Sequence, residues 1–296
     1  KTQPLDTYQA QNRGGTGKRA ASLKDEDFVS KLFVANTHDT LLCFSSYGKV
    51  YWIKVYRLPR GGRNAKGRPI VNLLPLEKDE RIQAVLPVKE FNDDQFIFMA
   101  TETGSVKKTK LSAYSRPMKS GIKAIKLRDG DRVVNAEITD GTKEIMLFSN
   151  SGKSIRFKES DARPMGRVSQ GVRGMRIDKD QKIISLVVLE EGNILVATEN
   201  GYGKQTLQDE FSIQKRGGKG VIAIQTSDRN GNLIGAKQVS TGDEVMFIST
   251  SGNLIRTRTD DISVIGRNTQ GVRLIRLSED DNLLGMEKVI SEDDEE

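Results

Sequence analysis

The chain of 296 residues holds one cysteine and one histidine. That excludes a disulfide framework and nearly excludes a zinc site built from Cys and His. Both residues fall in NTHDTLLCFSS, where Cys43 is expected in the core and His38 in a loop. A cytoplasmic setting fits this cysteine usage. No apolar run approaches the ~20 residues of a membrane helix. Helical periodicity is almost absent. Aromatics make up only 6% of residues, too few for a groove that stacks single-stranded bases. Trp52, Tyr51, Tyr47 and Tyr56 gather in one hairpin, where packing is the expected role. No cluster of His, Cys or paired carboxylates recurs, which argues against an enzyme with a site in a central channel.

What is present is a repeat. Five stretches share one form, an apolar β-branched run, a Gly-containing turn and a second strand-like run: 39–54, 95–110, 143–158, 192–206 and 243–258. This is the hairpin signal. The turn glycines are Gly48, Gly104, Gly152, Gly201 and Gly252. A second series, Gly17, Gly67, Gly121, Gly171, Gly220 and Gly271, has spacings of 50, 54, 50, 49 and 51. Length alone points to about two domains. A period near fifty with four strands per unit replaces them with one propeller-like array of blades. Six closing glycines predict six blades. KTQPLDTY, at the start, matches YWIKVYRL and reads as the second half of a sixth hairpin. The expectation is therefore an all-β disc over 1–290, its first blade truncated at the start. SEDDEE (291–296) follows as an acidic tail, expected to be disordered.

Acids are missing where cations gather. The windows 11–19, 57–68, 115–128, 163–176, 214–220 and 267–276 hold 23 Lys or Arg and no Asp or Glu, although the chain has 40 acids and a net charge of +7. Acids recur one strand length later, as in EKDE (77–80), RDGD (128–131) and SEDD (278–281). Around a ring this gives one basic and one acidic edge. Residues two apart share a strand face, so the hairpins are expected to add Lys108 with Lys110, Arg156 with Lys158, and Arg256 with Arg258.

A ring whose cations follow its circumference suits a long uniform polyanion, and phosphate neutralisation supplies sequence-independent affinity. Following such a rim bends duplex DNA at a cost on the order of 20 kcal/mol for a ~165 Å path at ~35 Å radius. Two or three cations cannot offset that; about twenty can. In QKRGGKG (214–220) the glycines allow positive φ and close backbone approach to a phosphate. Arg216 can grip a phosphate bidentately, while Lys215 and Lys219 add point charge. On this basis the candidate DNA-binding residues are Gln11, Arg13, Gly14, Gly15, Gly17, Lys18 and Arg19 in the first loop, and Arg60, Arg63, Lys66 and Arg68 in the second. Lys119, Lys123, Arg167 and Arg173 follow, then Gln214, Lys215, Arg216, Gly217, Gly218, Lys219 and Gly220. Arg267 and Arg273 complete the loops, and the six hairpin cations above join them. No catalytic or metal residue is assigned.

Gln214–Gly220 matches in full the signature Gln-Arg/Lys-Arg-Gly-Gly-Lys/Arg-Gly of the C-terminal domain of the DNA gyrase A subunit, and the chain resembles that family. QNRGGTG (11–17) stands in the first-blade place but lacks two cations, at Asn12 and Thr16. FVANTHDTLLCFSS, GRPIVNLLPL and IGRNTQGV extend the resemblance along the chain. The resemblance implies a six-bladed β-pinwheel whose blades exchange strands and wrap duplex DNA around the rim. It implies a part in ATP-dependent negative supercoiling, with the cleaving tyrosine, metal-binding acids and ATPase elsewhere in the enzyme. No cofactor is expected in this domain; ATP and Mg²⁺ belong to the whole enzyme. The implied partners are double-stranded DNA, the remainder of the gyrase A subunit, plus the gyrase B subunit, in the bacterial cytoplasm and nucleoid. The alternatives are a protein-binding propeller scaffold and the corresponding domain of the topoisomerase IV A-type subunit.

Overall fold

The structure, a computed structural model, describes residues 1–2, 35–62, 65 and 67–289. Every predicted hairpin forms, and each turn glycine takes a positive φ, between +75° and +91°. We letter the blades A to E. Their hairpins are Thr40–Ser45 with Lys49–Lys54, Phe96–Thr101 with Ser105–Lys110, Glu144–Ser149 with Lys153–Lys158, Asn193–Thr198 with Tyr202–Thr206, and Glu244–Ser249 with Leu254–Arg258. The first strand of each is apolar along its length because it lies between two others; in blade A all six of its residues are buried.

The third strands, Ile82–Val88, Val133–Thr139, Ile183–Val188, Leu233–Val239 and Leu283–Val289, pair with the first strand of their own hairpin. They also touch one another in succession around the centre. Apolar side chains between adjacent blades make the core. Leu42, Phe44 and Val50 of blade A, for example, pack with Ile97, Met99 and Ala136 of blade B. Cys43 is buried in a separate cluster with Leu41, Tyr51, Ile53 and Leu74, and His38 is exposed, as expected.

The outermost strand of a blade comes from the unit that follows it. Ile122–Lys123 completes blade A, Val172–Arg173 blade B, Val221–Ile222 blade C and Val272–Arg273 blade D. Each of these two-residue strands follows a glycine of the second series. Gly121, Gly171, Gly220 and Gly271 have φ between +70° and +81°. A Cβ on Gly220 would sit 2.1 Å from the Ser154 carbonyl oxygen of blade C. Gly171, Gly220 and Gly271 let one backbone press against another, while Gly121 lies against the Tyr51 ring.

Among the described residues there are five sheets, four of four strands and one of three, where the glycine series predicts six. Blade E has no outer strand among the described residues. Most of the sixth unit, and the acidic tail, lie outside the described residues. Thr2 is described and makes a parallel bridge to Arg60. Lys108–Pro164, Arg156–Ile213 and Gln205–Val264 are bridges of the same kind in blades B to D. Thr2 pairs with Arg60 as the second strands of blades B to D pair with the segments that follow them.

Candidate nucleic-acid interface

The basic loops 163–176, 214–220 and 267–276 run along the outer edges of blades B, C and D, each with an exchanged strand. The backbone fixes this course by one repeated bond. Met165, Gln214 and Ile265 donate their N–H groups to the carbonyls of Lys108, Arg156 and Gln205, at 2.7, 2.7 and 2.9 Å. The loops therefore occupy the rim, the last layer before solvent. Arg60, Arg68, Lys110, Lys119, Lys123, Lys158, Arg173, Lys215, Lys219, Arg258 and Arg273 are all exposed there or at the hairpin ends.

The loop arginines have a second task. Arg167, Arg216 and Arg267 stand at one position in three successive loops. Each donates through Nη1 to the carbonyl of the second residue of the preceding exchanged strand: Lys123 at 3.3 Å, Arg173 at 3.0 Å and Ile222 at 2.9 Å. Arg216 also donates through Nε to the Asp161 carbonyl at 2.8 Å. Through these bonds Arg216 forms a brace between neighbouring blades. The glycines of its loop are committed in the same way. Gly217 N–H donates to the Gly174 carbonyl at 2.7 Å, while Gly220 fits against Ser154. Lys215 and Lys219 project outward, and the side chain of Lys215 is 92% exposed.

Two residues missed in the sequence hold these loops from within. Lys107 of blade B and Lys204 of blade D occupy the strand position filled by Ile155 in blade C, and both are fully buried. Lys107 Nζ donates to the carbonyls of Ala124, at 2.5 Å, and Arg167. Lys204 Nζ donates to the carbonyls of Gly266 at 2.7 Å and Arg267 at 2.5 Å, and to Thr269 Oγ1 at 2.9 Å. Burial pushes the Lys107 ammonium down to about 7, helped by the charge of Arg167. It pushes Lys204 down to about 8, with Glu210 opposing. The signal in the sequence was a lysine at an inward, otherwise apolar, hairpin position.

The predicted hairpin pairs split. Lys110, Lys158 and Arg258 are exposed, though Arg258 Nη2 lies 3.6 Å from Asp260. Their partners are neutralised. Lys108 is buried under the segment entering blade C's loop, donates to the Glu159 carbonyl at 3.2 Å and lies 3.9 Å from its carboxylate. Arg156 reaches across the hairpin to Glu144, with Nη2 at 2.5 Å, and Arg256 does the same to Glu244. A chain folding back from the next blade covers Lys108 and Arg156, which period-two counting cannot foresee. Nor are the loops acid-free in space. Asp161 lies 3.3 Å from Lys215 Nζ, and Glu210 accepts the Arg267 N–H at 2.8 Å.

The acidic turns lie at the hairpin-turn ends, and some of their acids are structural. Asp131 accepts the Thr103 N–H and hydroxyl, at 3.1 and 2.6 Å. The hydroxyls of Ser251 and Thr250 hold the Asp281 carboxyl well below the usual carboxylate range. Of the aromatic group, Tyr51 is buried on Glu80, Trp52 Nε1 donates to the Tyr114 carbonyl at 2.8 Å, and Tyr56 is exposed. Gln11, Arg13, Gly14, Gly15, Gly17, Lys18, Arg19, Arg63 and Lys66 lie outside the described residues. Among the described residues no group of three or more His, Cys, Asp or Glu is placed to hold a metal ion, and no helix is long and apolar enough to cross a membrane.

Comparison with known proteins places this architecture. The family model for the DNA gyrase C-terminal domain, beta-propeller, matches six times, over 1–36, 39–89, 95–140, 143–190, 192–240 and 243–290. The DNA gyrase A subunit of Escherichia coli (strain K12) is 54% identical over 297 residues, and that of Salmonella typhimurium 53%. Both matches take in 100% of this chain and 34% of the relative, so the chain spans about a third of those proteins. Among solved structures, the C-terminal domain of DNA topoisomerase IV superposes with a TM-score of 0.84 at 27% identity, over 92% of this chain and 85% of that one. The DNA gyrase A C-terminal domain superposes with a TM-score of 0.77 at 28% identity, over 97% and 94%.

Proposed function

The chain belongs to the DNA gyrase C-terminal domain family, and on that premise we propose that it is the DNA-wrapping, non-catalytic domain of a gyrase A subunit. The supporting observation is the rim. Exposed cations recur on each exchanged strand or its loop, at Lys119 and Lys123, Arg173, Lys215 and Lys219, and Arg273. Buried lysines and bracing arginines fix those loops before any ligand arrives. A duplex laid along the rim meets phosphate-binding charge at every blade, and sequence-independent binding follows from contacts to backbone alone.

In this proposal residues 1–36 supply a sixth blade, making one domain over 1–290. The bridge from Thr2 to Arg60, of the kind that the second strands of blades B to D make, supports this reading. The partners are double-stranded DNA, the rest of the A subunit, plus the gyrase B subunit. ATP and Mg²⁺ act elsewhere in that enzyme, in the bacterial cytoplasm and nucleoid. The TM-score of 0.84 to the topoisomerase IV domain favours a second reading as the equivalent domain of that enzyme. About 50% identity to gyrase A subunits over the whole chain supports the first.

Salt titration with a rim-length duplex tests the proposal. The logarithm of the affinity is expected to fall linearly with the logarithm of salt, with a slope of about −0.9 per phosphate contacted. Energy transfer between dyes on the duplex ends is expected to rise on binding. A flat salt response, or unchanged transfer at saturation, overturns the wrap.

A further inference from the structure

At the hairpin-turn end of blade B, three guanidinium groups from separate positions along the chain meet in one hollow. Arg173 stands on the exchanged strand and Arg176 on the segment after it. Arg128 comes from the segment that follows blade A's exchanged strand. With Thr103 and Ser105 they line a pocket of about 300 Å³. All three side chains are exposed. Among the described residues none of the three guanidinium groups has a hydrogen-bond or carboxylate partner.

Other arginines of the rim are engaged. Arg156 is held by Glu144, Arg216 and Arg267 by carbonyls, and Arg273 by the Tyr202 hydroxyl at 2.7 Å. Three like charges in one hollow repel each other unless an anion joins them. The hollow also adjoins the loop with the complete seven-residue signature. Arg216 binds the Arg173 carbonyl, and Arg176 N–H donates to the Gly218 carbonyl at 2.8 Å. One junction further round, the corresponding residues are Ile222, Gln225 and Asp178, which cannot hold an anion.

We propose that Arg128, Arg173 and Arg176 form a phosphate site that seats one backbone phosphate of the wrapped duplex beside loop 214–220. The proposal rests on the wrapping function above. Guanidinium forks suit phosphate oxygens, and a free phosphate compound shares that chemistry.

Arginine side-chain nitrogen NMR on the whole 296-residue chain separates the sources. Pyrophosphate is titrated first, then a rim-length duplex. The Nε–H signals of Arg128, Arg173 and Arg176 are expected to shift together with both. The combined change Arg128→Gln, Arg173→Gln and Arg176→Gln is expected to abolish the pyrophosphate response and lower the duplex salt slope by about 0.9, one phosphate. Lys78→Gln with Lys89→Gln and Lys179→Gln removes the same charge at exposed positions off the basic loops and is expected to do neither. Pyrophosphate that leaves the three signals unmoved overturns the site. Equal slopes for the two triple variants overturn the seating of a duplex phosphate there. A duplex that binds with normal salt dependence yet leaves the three signals unmoved assigns the pocket to free phosphate, against the proposal. If the unmodified chain fails to bind duplex, the wrapping function falls, while the pyrophosphate arm still decides the pocket.

Discussion

Blades C and E share the same residues at several hairpin positions and differ at one edge. Each has a glycine turn (Gly152, Gly252), an inward isoleucine (Ile155, Ile255), an arginine bound across the hairpin to glutamate, and an exposed cation at the end. Blade C is closed by Val221–Ile222 and loop 214–220; blade E has no such partner among the described residues. The arginine side chain is 11% exposed in blade C and 53% exposed in blade E. A Cβ on Gly152 would lie 2.3 Å from the Ile224 carbonyl oxygen, whereas one on Gly252 meets nothing within 4 Å among the described residues. Equivalent hairpin positions therefore carry different energetic weight, set by whichever chain arrives from the next unit.

The sharpest way to break this comparison is the glycine pair. Gly152→Ala is expected to cost about 3 kcal/mol, combining left-handed strain with overpacking. Gly252→Ala is expected to cost about 1 kcal/mol, strain alone. Denaturant midpoints for the two variants check this, and equal losses would mean that the exchanged strand adds nothing. Next come the arginines. Arg156 also donates to the carbonyls of Gln208 and Phe211, at 3.1 and 2.9 Å. Arg156→Ala is expected to cost about 2 kcal/mol because buried acceptors lose their donor. Arg256→Ala, with its exposed pair, is expected to cost under about 1 kcal/mol.

Blades B and D sharpen the comparison further, since lysine replaces isoleucine beneath their loops. Lys107 titrates near 7 in the folded chain and in the ordinary lysine range when unfolded. Between those values the unfolded state binds the extra proton, so stability rises with pH, by at most about 1.4 kcal/mol per unit. Lys107→Met is expected to flatten that rise, measured by denaturant unfolding at pH 7, 8 and 9. The smallest effect on stability is expected from Lys215→Ala with Lys219→Ala, within about 0.5 kcal/mol. That variant is expected instead to lower the salt slope for duplex DNA by about 0.9 for each phosphate released.

These contrasts explain what the sequence made legible. Turn glycines and β-branched runs carry local signals, so all five hairpins and the fifty-residue period were readable. The glycine before each exchanged strand was readable as a marker. Its reason was not, because the group that excludes a Cβ, a carbonyl or at Gly121 the Tyr51 ring, lies in another blade. Val172–Arg173 is too short to show any period. Lys108 and Lys110 look alike on alternation; only the segment through Glu159 and Pro164 buries one of them. Arg216 reads as a phosphate ligand, and its brace to the Arg173 carbonyl is invisible because that carbonyl lies far off in the chain. Lys107 and Lys204 look like ordinary basic residues, because the carbonyls that surround them come from distant loops.

The borrowed outer strand also sets a clock on the nascent chain. The edge of blade A at Lys49 and Val50 is covered by Lys123 and Ile122, residues made more than a full unit later. At roughly 5–20 residues per second, a ~50-residue unit emerges in about 3–10 s. Throughout that interval the newest blade shows an unpaired strand edge, the kind of surface on which unfinished chains associate. Synthesis order becomes closure order, and a ribosome that stalls anywhere from blade A to blade D leaves one open edge behind it.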